Sequence, residues 1–148
     1  MPDSIEIAAA HALIDSSYRH WFGRSFAGDA DASDWLYREA PFALLAHGNQ
    51  DDPEFIYANA AAQRLFEYTW DQIVGLPSRL SAPADQRPAR VALLQRVERD
   101  GFARDYEGLR VSRSGRRFWI ERVTVWQLRD AAGCPAGLAA LIPSWRPD

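Results

Sequence analysis

Histidines are the residues of this sequence best suited to bind a metal or act as a base, but their spacing keeps them apart. His11 and His20 fall in one amphipathic segment, where nine residues correspond to about 180° of helical rotation, so the two rings point to opposite sides. His47 closes a strand-like run and has no cysteine or second histidine near it in sequence. The sequence therefore predicts no metal site.

Paired carboxylates are the second candidate for chemistry. They occur as Asp51-Asp52 and as Asp29 with Asp31, and both pairs lie in stretches rich in turn-forming residues. Aspartate is favoured in such stretches because its side chain hydrogen-bonds the nearby backbone. A structural role is expected for both pairs rather than acid–base catalysis.

The motifs of common enzymes are missing. Ser78, Ser81 and Ser112 have no adjacent histidine to activate them, and GxSxG, HExxH and GxGxxG do not occur. All 17 basic residues are arginine, so neither a Schiff-base lysine nor a phosphate-loop lysine is available. The sequence predicts a protein that is not an enzyme.

Arg90 is predicted to face the protein interior. At 100° per residue it shares a helix side with Leu94 and Val97, whereas Arg96 and Arg99 point the other way. It also lies near a helix N-terminus, where a cation is unfavourable, so we expect an anionic partner in the protein or in a ligand. The alternative is that its stem packs inside while its head reaches water.

A second internal arginine is predicted in the C-terminal hairpin. With Ser114-Gly115 as a two-residue turn, Arg122 lies opposite Glu107 on a face directed to the core. The two would form a buried ion pair, or Arg122 would bind an anionic ligand. A bulge at Gly108 would instead place Tyr106 opposite Arg122.

Both faces of this hairpin carry large apolar residues. The outer face bears Trp119, Val123 and Val125, and Arg110 lies opposite Trp119, where it could stack. A face of this kind needs cover, from the N-terminal helix or from a second subunit, so a homodimer is expected.

Local signals place the elements that hold these residues. Apolar spacing predicts a leading helix over Ser4–Phe22 that stops at Gly23, and Thr69 with Gln72 forms a capping-box pattern. The remaining predictions are a strand over residues 42–47, a second strand ending before Asn59, a short helix after Asn59, a helix capped by Asp85 and stopped by Gly101, and a three-stranded terminal meander.

Composition restricts the partners and the compartment. The chain has 148 residues and 47% apolar content, which suits one domain, and its net charge of −3 gives no basic surplus for nucleic acid. Cys134 is the only cysteine, so no intrachain disulfide is possible. No apolar run is long enough for a membrane span or a signal peptide, and a cytoplasmic protein is predicted.

Several stretches of the chain resemble the PAS superfamily and, more narrowly, the MEKHLA domain. They are YREAPFALLAHG (37–48), FIYANAAAQRLFEYTW (55–70), LPSRLSA (76–82), GFARDYEGLRVSRSGRRFWIERVTVW (101–126) and GLAALIPSW (137–145). The resemblance implies a PAS-like domain over residues 34–148, preceded by a helix and linker over residues 1–33. It also implies a regulatory role, because MEKHLA domains occur alone in bacteria and at the end of plant homeodomain-leucine zipper proteins.

The cofactors of other PAS-like domains lack their usual anchors here. A haem-binding PAS domain needs a histidine on the middle helix, and residues 85–100 contain none. Flavin photochemistry needs a cysteine just after the helix that follows the Asn-ending strand, whereas Cys134 lies in a turn near the C-terminus. No cofactor is predicted.

The sequence thus predicts an α+β fold, with a five-stranded antiparallel sheet, helices on one face and an N-terminal helix. The predicted function is a small sensory module that holds an unknown, small, anionic ligand and signals through protein contacts. The alternative is a ligand-free dimerisation module, and a small enzyme is a third reading. The pocket candidates are Tyr57, Asn59, Arg79, Arg90, Glu107, Arg122 and Trp126.

Overall fold

The computed structural model describes residues 2–28 and 30–148, so Asp29 of the second carboxylate pair lies outside the described residues. The helices are α1 (Ser4–Phe22), α2 (Ser33–Arg38), α3 (Ala60–Phe66), α4 (Trp70–Ile73) and α5 (Arg87–Asp100). The strands are β1 (Ala43–His47), β2 (Phe55–Ala58), β3 (Phe102–Val111), β4 (Arg117–Arg129), β5 (Pro135–Ile142) and β6 (Ser144–Pro147).

The strands form one antiparallel sheet in the order β2-β1-β5-β4-β3. The short strand β6 pairs with β4 over Phe118–Glu121, next to the stretch of β4 that pairs with β5. The α+β fold is therefore confirmed, with a sixth strand that was not predicted. Strand β6 is separate from β5 because Pro143, which has no N–H to donate, divides the closing run GLAALIPSW into two strands.

Helix α1 covers one face of the sheet. It begins after Asp3, whose carboxylate accepts from Glu6 N, and it ends at Gly23 in the left-handed conformation, as predicted. Two tryptophans fix its position, because Trp126 Nε1 donates to Ile14 O at 3.2 Å and Trp21 Nε1 donates to Gln127 O at 2.9 Å. Helix α1 therefore covers the face of the sheet that bears Trp126, and not the side chains of Val123 and Val125 for which cover was predicted.

Helices α3 and α5 pack on the other face, so the sheet lies between two apolar layers. Phe66, Leu93 and Val97 pack there against Val123 and Val125 of β4. The layer under α1 contains Ile14, Tyr18 and Trp126 among its buried residues. Burial on both sides explains why the strands carry large apolar residues on both faces.

The β3–β4 hairpin differs from the predicted register. Its loop has three residues, 113–115, with Gly115 at φ 90°, and Val111 pairs with Arg117. Two bulges follow, at Asp105 with φ 55° and at Arg122 with φ 54°. In a bulge, two residues of one strand lie opposite one residue of its partner. The side chains of β4 that point to the α5 side are therefore even-numbered up to Ile120 and odd-numbered from Val123 onward.

This register corrects two predictions about the hairpin. Ile120 lies opposite Gly108, and Arg110 lies opposite Phe118 rather than Trp119. Val123 and Val125 are buried under α5 and not on an outer face. Trp119 is covered by Arg146, whose guanidinium carbon lies 5.3 Å from the ring centroid. These side chains therefore give no reason for a second subunit.

Local capping follows the sequence closely except at α5. Thr69 and Gln72 form the predicted capping box, and Gly101 ends α5 in the left-handed conformation. Asp85, in contrast, does not cap α5: it lies in a 3-10 turn over Ala84–Gln86, and the helix begins directly after this turn, at Arg87.

Candidate functional site

A cavity of about 70 Å³ lies between the sheet and α5. One part of its wall is apolar, formed by Phe55, Phe66, Leu93, Ile120, Val123 and Ile142. The other part is polar and combines side chains from four segments: His47 at the end of β1, Ser78 and Ser81 in a 3-10 turn, Arg90 on α5, and Tyr106 with Arg110 on β3. The division into a polar end and an apolar body is typical of small-molecule sites.

Ser78 joins two of these segments at the polar end. Arg90 Nη2 donates to Ser78 Oγ at 2.5 Å, and the same oxygen lies 2.8 Å from Nδ1 of His47. The turn that carries Ser78 is fixed to the β1–β2 loop, because Ser78 N donates to Pro53 O at 2.8 Å. A ligand that contacts Ser78 would therefore act on the β1–β2 loop through the hydrogen bond between Ser78 and Pro53.

Arg110 and Tyr106 form the opposite side of the polar end. Arg110 Nη1 donates to Leu109 O at 2.9 Å, and Nη2 donates to the Tyr106 hydroxyl at 3.3 Å. Gly108 lies between them on the same face of β3. A Cβ there would overlap the Tyr106 hydroxyl and lie 2.9 Å from Arg110 Nη1, so glycine is what allows both side chains to occupy this position.

The polar end carries buried positive charge with no carboxylate hydrogen-bonded to it among the described residues; Asp52 acts on Arg90 only through its charge and is itself paired with Arg79. Arg90 is 9% exposed and Arg110 is 7% exposed. Within residues 2–28 and 30–148, their side-chain hydrogen bonds go to a serine hydroxyl, a backbone carbonyl and a phenol, and none goes to a carboxylate. Buried cations are normally paired, so this arrangement favours an external anion.

The pKa values follow from this environment. Burial, with a further contribution from the Arg110 guanidinium, lowers the pKa of Arg90 to about 10. Burial and then the charge of Arg90 lower the pKa of His47 to about 4, so its imidazole is neutral at pH 7. The net charge at the polar end is therefore that of the two guanidiniums.

Of the seven pocket candidates, the structure brings only Arg90 to this cavity. Tyr57 and Trp126 are buried in the layer on the α1 side of the sheet, and burial raises the pKa of the Tyr57 phenol above its usual range. Asn59 caps α3 through Oδ1, which accepts from Ala62 N at 3.1 Å and from Leu44 N at 3.0 Å. Its Nδ2 donates to backbone carbonyls, so this amide has a complete structural role.

The other three candidates lie on the surface. Arg79 pairs with Asp52 at 3.1 Å, and Glu107 pairs with Arg146 at 2.6 Å. Arg122 donates from Nη2 to Ser144 Oγ at 3.2 Å and is exposed. The predicted buried pair of Arg122 with Glu107 is therefore wrong, and so is the alternative that sets Tyr106 opposite Arg122, because Tyr106 pairs with Val123.

Sequence reasoning missed Arg110, His47, Ser78 and Tyr106 as members of one site. The first three were considered singly, and no spacing rule connects residues 47, 78 and 110. One signal was available: two of the stretches that carry the MEKHLA resemblance, LPSRLSA and YEGLRVSRSGRRF, supply Ser78, Ser81, Tyr106 and Arg110 to the same end of the cavity.

The two histidines of α1 each contact a protein group, and neither lies in a metal-binding cluster within the described residues. His11 is buried, with Nε2 3.1 Å from Gly28 O, and exposed His20 has Nε2 3.0 Å from Nη1 of Arg129. Within the described residues no cluster of three or more metal-binding side chains occurs. None of the helices described is both long and apolar enough to cross a membrane.

The sheet with α3 and α5 over a small cavity has the fold of PAS domains. A PAS domain from Colwellia psychrerythraea superposes with a TM-score of 0.66 and 15% identity, over 80% of this chain and 94% of that chain. The chain itself belongs to the MEKHLA domain family, whose sequence model matches residues 8–147.

Light-oxygen-voltage domains share the same fold. The domain of a blue-light activated histidine kinase from Erythrobacter litoralis gives a TM-score of 0.58 and 22% identity, over 70% of this chain and 96% of that chain. An RNA-binding light-oxygen-voltage receptor gives a TM-score of 0.63 and 19% identity, over 74% of this chain and 30% of that chain. No curated protein matches the sequence. At these sequence identities, the structural similarity shows that this chain shares the fold of these proteins.

A flavin of the kind named for another structural neighbour does not fit this cavity. That neighbour is a light-oxygen-voltage domain studied with a flavin analogue, with 18% identity and a TM-score of 0.58, over 68% of this chain and 74% of that chain. The cavity of about 70 Å³ has room for a few heavy atoms rather than a three-ring system. Cys134 is exposed in the turn between β4 and β5, away from the cavity lining.

Proposed function

We propose that this protein is a non-catalytic sensory module that binds a small anionic ligand at the polar end of the cavity, between Arg90 and Arg110. The observation that carries the proposal is the burial of two guanidiniums at one cavity with no carboxylate among their hydrogen-bond partners in the described chain. An anion there would form charge-assisted hydrogen bonds and relieve the repulsion between the two arginines.

The same geometry supports a route for the signal. Ser78 contacts Arg90 and His47 on one side and holds Pro53 of the β1–β2 loop on the other. The adjacent pair of Arg79 with Asp52 connects the same turn and loop. Ligand binding would order this loop, which could then be recognised by a partner protein. A cytoplasmic location and the absence of a nucleic-acid partner remain parts of the proposal.

Native mass spectrometry of the purified protein, together with thermal unfolding in a panel of anions, tests ligand binding. We expect an anion to raise the melting temperature of the wild type and of Arg38→Met, which loses only its surface ion pair with Asp34. Arg90→Met should lose the response. Equal responses from both variants, or none in the wild type, would refute an anion site at Arg90.

The second candidate, a ligand-free dimerisation module, is favoured by two exposed aromatic side chains. Trp35 is 42% exposed and Trp145 is 37% exposed. Aromatic residues of this kind are enriched in protein interfaces. Analytical ultracentrifugation of the wild type and of Trp35→Ser and Trp145→Ser tests this candidate. A wild type that stays monomeric at high concentration would exclude self-association.

A further inference from the structure

We infer that the ligand is a short monocarboxylate with an apolar body, such as an aliphatic acid of about four to six carbons. The inference rests on the proposed anion site and adds the chemical class of the molecule. Its basis is the arrangement of the cavity wall: the guanidiniums, the Ser78 hydroxyl and His47 gather at one end, and the remaining wall is aliphatic and aromatic.

The free donors of the two guanidiniums suit one planar carboxylate group. Arg90 and Arg110 supply the positive charge, and His47, buried beside Arg90, is neutral at pH 7. Among the described residues, one Arg90 donor and two Arg110 donors are engaged in hydrogen bonds, which leaves N–H groups on both guanidiniums for two oxygens of one planar group. A carboxylate accepts from such donors in a bidentate manner.

The apolar wall excludes ligands that are polar throughout. Phe55, Phe66, Leu93, Ile120 and Ile142 offer no hydrogen bond to the far end of a ligand, so a second carboxylate or a run of hydroxyl groups would lose its water without compensation. An alkyl body gains from the same surface because its burial removes apolar area from water. A small polyanion such as citrate is disfavoured for this reason.

The volume sets the length of the alkyl body. A cavity of about 70 Å³ accepts a body of a few carbons, and a longer chain must either extend out of the cavity into water or displace side chains that are already buried. Leu93 lines the cavity from α5 and is 7% exposed. Replacing it with a smaller side chain would make the cavity longer on the α5 side.

The test is a titration series with matched probes, followed by calorimetry and thermal unfolding. The straight-chain acids from acetate to decanoate vary the length, hexanamide and hexanol remove the charge from hexanoate, and inorganic phosphate and citrate supply charge without an apolar body. We expect the best affinity among butyrate, valerate and hexanoate, with hexanamide, hexanol, phosphate and citrate each weaker by about tenfold or more.

Two variants change the length of the cavity, and a third removes the charge at its polar end. Leu93→Ala should move the preferred length to longer acids, and Ile142→Val, a milder change in the same wall, should do so to a smaller degree if Leu93→Ala does not fold. Arg90→Met should remove the preference for hexanoate over hexanamide. A length optimum that moves in neither variant would overturn the inference.

The outcomes separate this inference from the proposal beneath it. If phosphate or citrate binds as well as the best acid, the anion site stands and the monocarboxylate is wrong. If hexanamide or hexanol equals hexanoate, the cavity binds apolar molecules and the anion site itself fails. If no probe binds at millimolar concentration, both fail.

Discussion

Arg90 and Ser78 are joined by a hydrogen bond of 2.5 Å that leaves the guanidinium at the polar end of a cavity and without a carboxylate partner in the described chain. A hydroxyl can accept this hydrogen bond but cannot neutralise the charge. The arrangement therefore costs free energy in the empty protein, and a bound anion would recover it.

Replacing Arg90 with methionine should maintain or raise the stability of the empty protein. Because the folded state lowers the pKa of Arg90 to about 10, its charged form is disfavoured there, and removing the charge should raise the free energy of unfolding by up to about 2 kcal/mol. Urea denaturation in an anion-poor buffer measures this. The surface variant Arg79→Met should lose less than about 1 kcal/mol. A loss of more than about 2 kcal/mol in Arg90→Met would show that the arginine is structural.

His47 should make stability depend on pH. Its pKa is about 4 in the folded protein and 6.5 ordinarily, so the unfolded chain takes up the proton first as the pH falls. The contribution of the neutral His47 ring to the free energy of unfolding is complete above pH 6.5, and it is lost as the pH falls through 4. The loss amounts to about 3 kcal/mol, at about 1.4 kcal/mol per pH unit.

The variant His47→Gln isolates this effect. It should remove the extra pH dependence in that range, whereas His20→Gln, at an exposed site on α1, should leave it in place. Denaturation midpoints at half-unit steps of pH measure the difference. Identical profiles for the wild type and His47→Gln would contradict the prediction.

Gly108→Ala should disturb Arg110 without unfolding the sheet. The added methyl overlaps Tyr106 and crowds Arg110 Nη1, so we expect a loss of about 1–3 kcal/mol and a weaker response to anions. Adding Tyr106→Ala removes the overlapping ring and should restore part of the stability. If Gly108→Ala alone binds anions as the wild type does, Arg110 is not a ligand contact.

Double-mutant cycles should separate the two possible partners of Glu107. The contact at 2.6 Å with Arg146 predicts a coupling of about 0.2–1 kcal/mol, as for other exposed pairs. Glu107 with Arg122 should show a coupling near zero, since Arg122 is bonded to Ser144 instead. Chemical denaturation of the single and double alanine variants gives both values, and a coupling with Arg122 above that with Arg146 would contradict the structure.

What the sequence predicted correctly was local. Gly23 and Gly101 as helix stops and the Thr69 capping box depend on residues within one turn of each other, and the inward side of Arg90 follows from its spacing to Leu94 and Val97. At these positions tertiary contacts leave the local signal intact, whereas the local signal at Asp85 is wrong because a 3-10 turn precedes α5.

The hairpin and the site depended on information that the sequence does not carry locally. Asp105 and Arg122 adopt positive φ without being glycine, so no residue type marked the bulges that set the register. Tyr57 and Trp126 are predicted as pocket residues from their positions in the chain, but they lie in the buried layer on the α1 side of the sheet, whereas the cavity that contains Arg90 lies on the α5 side. Polarity alone could not distinguish the two faces.

The bulge at Arg122 makes β4 unusual in its tolerance of shortening. Removing one residue from a strand normally reverses the orientation of every side chain beyond the gap. Here Glu121 and Arg122 together face Glu107, so deleting Arg122 would leave Ile120 and Val123 on the inner face and preserve the pairing of Tyr106 with Val123. A deletion scan of β4 should therefore find a soluble, folded product at residue 122, whereas deletion of Ile120 or Trp126 should give an insoluble one.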